Sequence, residues 1–176
     1  MQRVRTGAGF YGLVFVAGFI TFAMHEGGHW LAGTLLGHEA HYGLNGAGVR
    51  ANIPWTHGMI IIAAGPAVTI LQGLIALWLV EARTSAAAWV FLFWAAFMRF
   101  MATLITLWNP NDEARIGLEL GLGTWPVPAM VTAGLFALLI MGSRGLRMSG
   151  KTLALSWGVA TVAASAIVGL DMVMSG

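Results

Sequence analysis

GFYGLVFVAGFITFAMHEGGHWLAGTLL, residues 9–36, is an apolar run long enough to cross a bilayer, and its second half contains three ionisable side chains. A membrane-spanning helix needs about 20 mostly apolar residues. A charged side chain at the bilayer centre costs about 2.5–3.5 kcal/mol on insertion scales, so it needs a function or a partner to persist. The run therefore predicts a transmembrane helix that carries a chemical site.

The composition extends this prediction to the whole chain. Of 176 residues, 58% are hydrophobic and 9% are charged, whereas a soluble domain usually carries about 25% charged residues. Four further apolar runs cover residues 59–80, 86–108, 127–141 and 152–174. We predict an all-α polytopic membrane protein, residues 1–176 forming one integral membrane domain with about five transmembrane helices. The lipid bilayer is the expected partner, and the absence of a basic run argues against nucleic acid.

The first connection predicts a small β-hairpin, at residues 40–53, after the first helix. Asn45-Gly46 is the favoured pair for a type I′ turn. Residues 49–53 alternate apolar and polar side chains at the strand period, and Pro54 then ends the strand. Such a hairpin could offer a strand edge to an extended peptide.

The second connection predicts a helix break followed by a short helix. Pro110 ends the third helix because it has no backbone donor. Asn111 can then cap a new helix that begins with Asp112 and Glu113. Irregular backbone of this kind, at membrane depth, is tolerated where it lines a cavity.

The ionisable residues of the first run, His25-Glu26-Gly27-Gly28-His29, fit the pattern H-E-x-x-H. Positions i and i+4 share one face of a helix, so both imidazoles can reach one metal ion. The glutamate between them is then placed to activate water. The chain has no cysteine, and zinc is the ion that suits imidazole and carboxylate ligands in hydrolysis.

A catalytic zinc site normally has three protein ligands, so a third must come from elsewhere in the chain. Asp112 and Glu113 are candidates in the second connection. The histidines of the first connection are also candidates: His38, His41 and His57. By chemistry alone, Asp112 is as well explained by charge complementarity at a helix N-terminus as by metal binding.

Three motifs in this order resemble the site-2 protease family of intramembrane zinc metalloproteases: His25-Glu26-Gly27-Gly28-His29, Ala64-Gly65-Pro66 and Asn109-Pro110-Asn111-Asp112. The resemblance covers approximately residues 9–124, the expected catalytic core, and leaves residues 125–176 as additional helices. It implies Asp112 as the third zinc ligand. It also implies support of the substrate or the structure by Asn109, Gly65 and Pro66, although Gly65-Pro66 alone would indicate a kink or a close packing point.

The resemblance implies a zinc metalloendopeptidase of the cell membrane, with transmembrane protein substrates and Glu26 as general base. Thr69 departs from the family, which often has Asn there, and Asn111-Asp112-Glu113 replaces the usual Leu-Asp-Gly, which makes Glu113 a rival ligand. The chain has no room for the peptide-binding module of many members, so we expect a minimal core. The alternative is a non-catalytic membrane metal-binding or scaffold protein derived from such a protease.

Two further expectations concern charge. Arg99 lies in the third run, where we expect a structural ion pair with Asp171, the alternative being that it faces the aqueous catalytic cavity.

The positive-inside rule puts the N-terminus in the cytoplasm, whereas the resemblance implies the reverse, so orientation stays open. The residues behind the charge rule are Arg3, Arg5, Arg83, Arg144, Arg147 and Lys151 on one side, with Arg50 and Arg115 opposite.

Overall fold

The computed structural model describes residues 6–49 and 52–175. Its helices are α1 (Ala8–Leu35), α2 (Trp55–Arg83), α3 (Ala86–Ile105), α4 (Asp112–Glu119), α5 (Pro126–Gly145) and α6 (Gly150–Ser175). Its strands are β1 (Ala40–His41) and β2 (Gly48–Val49). All of these helices except α4 are long and apolar enough to cross a membrane. This confirms the predicted all-α polytopic fold with five spans and a small hairpin after the first.

Several helix ends follow from local chemistry that the sequence displays. The side chain of Ser85 caps α3 by accepting from the Ala88 backbone N–H. The predicted cap of α4 is confirmed, because Asn111 Oδ1 accepts from the Ala114 N–H at 2.8 Å. Proline at the start of α5 suits the first turn of a helix, where a missing backbone donor costs nothing.

The core is built around α3, which contacts α1, α2, α5 and α6. The rings of Trp89, Phe93 and Phe97 stack in succession along its buried length. On the outer helices, large apolar side chains point away from the core; Leu35 is 77% exposed and Val162 63%. A bilayer, unlike water, accommodates such faces without cost.

Buried polar contacts hold α1 against α2 and α3. Gln72 Nε2 donates to Thr21 Oγ1 at 3.0 Å and to the Phe91 carbonyl at 2.9 Å. The indole of Trp94 donates to the Val14 carbonyl at 2.6 Å. These bonds are worth more in an apolar interior than in water, and they set the depth at which α1 presents its histidines.

The hairpin differs from its prediction at the turn. Ala40 pairs with Val49 and His41 with Gly48, so six residues, 42–47, join the strands. A type I′ turn needs positive φ at both central residues, and Asn45 and Gly46 are not among the described residues with positive φ. The type I′ prediction is therefore wrong. Residues 50 and 51, in the predicted second strand, lie outside the described part of the chain, as do Arg3 and Arg5.

A long-range contact accounts for this open loop. The Leu44 backbone N–H donates to Asp171 Oδ1 of α6 at 2.9 Å. Tertiary contact of this kind overrides the local preference of an Asn-Gly pair. The loop is therefore tied to the last helix.

Candidate metal centre

Three side chains from two distant segments converge within the helices. His25 and His29 come from α1, and Asp112 is the first residue of α4. The two imidazole Nε2 atoms lie 3.2 Å apart, and Asp112 Oδ2 lies 3.3 Å and 3.4 Å from them. Within residues 6–49 and 52–175, these are the His, Asp and Glu side chains whose ligand atoms lie close enough together to hold one metal ion. We call these three residues the metal group.

The contact that Nδ1 of each imidazole makes determines whether Nε2 has a lone pair with which to bind a metal ion. His29 Nδ1 lies 2.7 Å from the Ile61 carbonyl oxygen, which can only accept, so Nδ1 carries the proton. His25 Nδ1 lies 3.0 Å from Thr69 Oγ1, which donates its own proton to the Gly65 carbonyl. That hydroxyl therefore accepts from His25. Both neutral rings then have their lone pair on Nε2, as metal ligands require.

The convergent atoms are all electron-rich. The Asp112 carboxylate lies against the Nε2 atoms of both histidines, and an aspartate side chain is ionised at neutral pH. Asp112 is therefore an anion. Two imidazole lone pairs and a carboxylate oxygen within 3.4 Å of one another repel unless a cation lies among them. The arrangement suits a metal ion.

The Gly65-Pro66 segment of α2 lies directly against this group. A Cβ on Gly65 would stand 2.6 Å from His25 Cε1 and would also collide with His29 Nε2. A Cβ on Gly28 would stand 2.9 Å from the Ala64 carbonyl oxygen. These two glycines permit the close approach of α1 and α2 that brings Thr69 and Ile61 into reach of the imidazoles.

The three side chains face a cavity of about 760 Å³. Glu26, which is buried, lines this cavity beside them. Its other walls come from α3, α4, α6 and the hairpin loop, where Asn45, Gly46 and Ala47 contribute. The same space thus holds the metal group, a carboxylate and a stretch of loop backbone.

The other predicted site residues lie in different places. Glu113 turns away from the metal group, and its carboxylate bonds Arg99. Asn109 is exposed and is not among the residues lining the cavity, whereas Asn111 lines it and has no described partner for Nδ2.

The three candidate histidines of the first connection do not join the metal group. His38 Nε2 and His57 Nδ1 lie 2.8 Å apart, and His41 is exposed. Among the described residues, Asp112 is therefore the side chain that accompanies His25 and His29.

The expected ion pair between Arg99 and Asp171 does not form. Arg99 Nη1 instead donates to Glu113 Oε1 at 3.0 Å, while Asp171 accepts from Leu44. Arg99 thus forms a buried ion pair, as expected, but with a different acidic residue, and it also lines the cavity. The short α4 packs against α2 and α5, and from there the Glu113 carboxylate reaches Arg99.

Sequence reasoning missed the role of Thr69. In the sequence Thr69 stands out only as a departure from a family pattern, yet its hydroxyl contacts His25. The available signal is a polar residue one turn after Gly65, within a mostly apolar span. Such a residue needs a hydrogen-bond partner in an apolar environment.

No protein-family model, curated protein or solved structure matches this chain.

Proposed function

We propose that this protein is an intramembrane zinc metalloprotease of the cell membrane that hydrolyses peptide bonds of transmembrane protein substrates. The observation that carries the proposal is the meeting of three electron-rich atoms, from His25, His29 and Asp112, beside the buried Glu26 in one cavity. A purely structural role would not require three mutually repelling acceptors inside a membrane protein.

The donor set fits zinc. With metal–ligand bonds of about 2.0–2.1 Å, ligand atoms at the corners of a tetrahedron lie about 3.3–3.4 Å apart. The three separations here are 3.2, 3.3 and 3.4 Å. Two imidazoles and one carboxylate, each oriented by further contacts, are typical of catalytic rather than structural zinc. A bound zinc ion supplies the Lewis acidity that activates water and polarises a carbonyl.

Glu26 is the proposed general base. It shares the cavity with the metal ligands and lies one residue from His25 on α1. Its carboxylate takes a proton from the attacking water and later delivers it to the leaving amine.

Backbone groups and a side-chain amide around the cavity bind the substrate in this scheme. A transmembrane helix must unwind before its peptide groups are accessible, and the unwound segment then needs hydrogen-bond partners. Asn111 Nδ2, which has no described partner, offers one donor. The loop at residues 45–47 lines the same cavity and offers backbone groups, which supports strand-like docking of the substrate.

Metal analysis combined with cleavage tests the proposal. Protein purified in detergent is stripped with a chelator, reloaded with zinc, and incubated with labelled single-span transmembrane peptides. We expect one zinc per chain, zinc-dependent cleavage, and a loss of about 10²-fold or more in rate for Glu26→Gln with zinc retained. Zinc binding without cleavage of any peptide would instead support the non-catalytic metal-binding or scaffold alternative.

A further inference from the structure

Arg99 lies next to the metal group on a side that the proposed mechanism leaves unused. Its side chain is 3% exposed, and it lies within the most buried helix of the protein. Its Nη2 is 3.4 Å from His25 Nε2, and its Nη1 is 3.9 Å from Asp112 Oδ2. A guanidinium remains charged in proteins. A fixed cation beside a metal site opposes metal binding, so its presence needs a reason.

A contribution to the stability of the fold does not explain why Arg99 lies beside the metal group. Glu113, 2% exposed, forms the ion pair with Arg99 at 3.0 Å. Within the described residues, Arg99 Nε and Glu113 Oε2 have no hydrogen-bond partner. A buried ion pair with unsatisfied atoms is often less stable than apolar side chains of the same volume. The pair is therefore poorly explained by folding alone.

The position of Nη2 indicates what it can do. It lies 3.4 Å from His25 Nε2, whose lone pair is the one that a metal ion would use. When that lone pair is engaged by metal, the Nη2 hydrogens are free to donate. Arg99 lines the same cavity as Glu26, so these hydrogens meet a substrate group that reaches the metal ligands. Glu113 holds Nη1 and thereby orients the guanidinium.

We infer that Arg99 is a catalytic residue that stabilises the oxyanion of the tetrahedral intermediate, an inference that rests on the proposed function. As the water oxygen bonds to the carbonyl carbon, the carbonyl π electrons move onto the carbonyl oxygen, and Glu26 takes the water's proton. Arg99 Nη2 donates to the resulting oxyanion. On collapse the electrons return, the C–N bond breaks, and the amine leaves with the proton from Glu26.

Glu113 acts as a positioning residue in this scheme. Its negative charge offsets that of Arg99, so that the neighbouring cation opposes metal binding less strongly. Its single bond to Nη1 leaves Nη2 directed towards His25. The two residues lie on α3 and α4, so their contact also couples the guanidinium to the helix that carries Asp112.

The test measures binding of a tetrahedral anion and of zinc, together with cleavage. The probe is N-phosphoryl-L-leucinamide, a small phosphoramidate, titrated against zinc-loaded protein in detergent. Arg99→Gln should weaken its binding about 10- to 100-fold, the value of a hydrogen bond to a charged group. It should also lower kcat for peptide cleavage about 10²- to 10³-fold with little change in KM. Zinc affinity should be unchanged or higher, because a cation has been removed.

Two further variants keep the test decisive. Arg99→Gln leaves Glu113 as an unpaired buried charge, so the double variant Arg99→Gln/Glu113→Gln is made in parallel in case the single variant fails to fold. It should show the same loss of phosphoramidate affinity. Arg115→Gln removes a charge from an exposed residue lining the same cavity, and should weaken the phosphoramidate by less than about threefold because solvent screens that charge.

The outcomes separate this inference from the proposed function. If Glu26→Gln abolishes cleavage but Arg99→Gln, or the double variant, binds the phosphoramidate and cleaves like the parent, the role of Arg99 is overturned and the protease remains. Equal losses of phosphoramidate affinity in Arg99→Gln and Arg115→Gln would show that the overall positive charge of the cavity causes the effect. That result would also overturn the catalytic role of Arg99. If the parent protein binds zinc but neither cleaves peptides nor binds the phosphoramidate, both proposals fall.

Discussion

Thr69 Oγ1 lies 3.0 Å from His25 Nδ1, on the side of the imidazole away from the nitrogen that faces Asp112. The contact joins α2 to α1 across 44 residues of sequence. Because the same hydroxyl donates to the Gly65 carbonyl, its proton is already committed, and it acts towards the histidine as an acceptor. One threonine thus sets the tautomer of a proposed metal ligand.

Replacement of this hydroxyl should weaken metal binding. Thr69→Val keeps the shape of the side chain but leaves the His25 Nδ1 proton without an acceptor. Loss of such an outer contact typically lowers metal affinity about 10- to 100-fold. Thr69→Ser restores the oxygen and should bind zinc within about threefold of the parent. The measurement is competition for zinc between stripped protein and a chelator of known affinity. Equal affinities for the valine variant and the parent would remove Thr69 from the site.

The two variable positions of the His-Glu-Gly-Gly-His motif should respond differently to alanine. A Cβ on Gly27 meets nothing within 4 Å, whereas a Cβ on Gly28 stands 2.9 Å from the Ala64 carbonyl oxygen. Gly27→Ala should therefore keep zinc and unfold at the same temperature or higher, since alanine favours a helix by about 0.5–1 kcal/mol. Gly28→Ala should unfold at a lower temperature. Thermal unfolding in detergent checks both, and equal midpoints would contradict the close packing of α1 on α2.

Gly65→Ala should damage the metal site itself. Its Cβ would collide with both imidazoles, so the rings or the helix must move. We expect zinc affinity to fall at least about 100-fold, beyond the effect of losing an outer contact. Gly58→Ala, on the same helix with its nearest atom 3.8 Å away, is the matched control and should bind zinc normally. Retention of zinc by Gly65→Ala would contradict the close approach of α2 to α1 at this glycine.

Replacement of the two adjacent acidic residues of α4 should have different effects on zinc affinity. Asp112 Oδ2 lies against both histidines, while Glu113 bonds Arg99. Asp112→Asn should lower zinc affinity at least about 100-fold, because an anionic ligand is lost. Glu113→Gln should stay within about tenfold of the parent, because its effect on the metal is indirect. Zinc measured by mass spectrometry after mild chelation decides between them, and the opposite ranking would make Glu113 the ligand.

The hairpin loop offers a prediction about substrate binding. Asp171 holds the Leu44 N–H at 2.9 Å and so ties the loop to α6 beside the cavity. Asp171→Ala should free the loop and raise KM for transmembrane peptides about tenfold, with zinc content unchanged. Asp171→Asn keeps an acceptor oxygen and should raise KM by less than about threefold. An unaltered KM in the alanine variant would make the hairpin a connector only.

Features set by local rules were predicted well from the sequence. The five apolar runs became five helices whose ends lie within three residues of expectation, with two exceptions: α2 begins four residues earlier, at Trp55, and α5 ends four residues later, at Gly145. The helix break at Pro110 and the cap by Asn111 were also predicted. The spacing of His25 and His29 put both imidazoles on one face of a helix, because four residues make about one helical turn.

Features that join distant segments needed the tertiary structure. The apolar pattern of a span shows that it enters the membrane, but not its rotation or depth against a neighbouring helix, since lipid and protein interior are similarly apolar. Arg99 was therefore assigned the wrong partner, and the contact of Thr69 with His25 was not foreseen. From the sequence Asp112 was one of several possible third ligands, and the packing of α4 against α2 and α5 brings it to the histidines. The sequence by itself determined which residues have the chemistry to bind a metal; helix packing decided which of them meet.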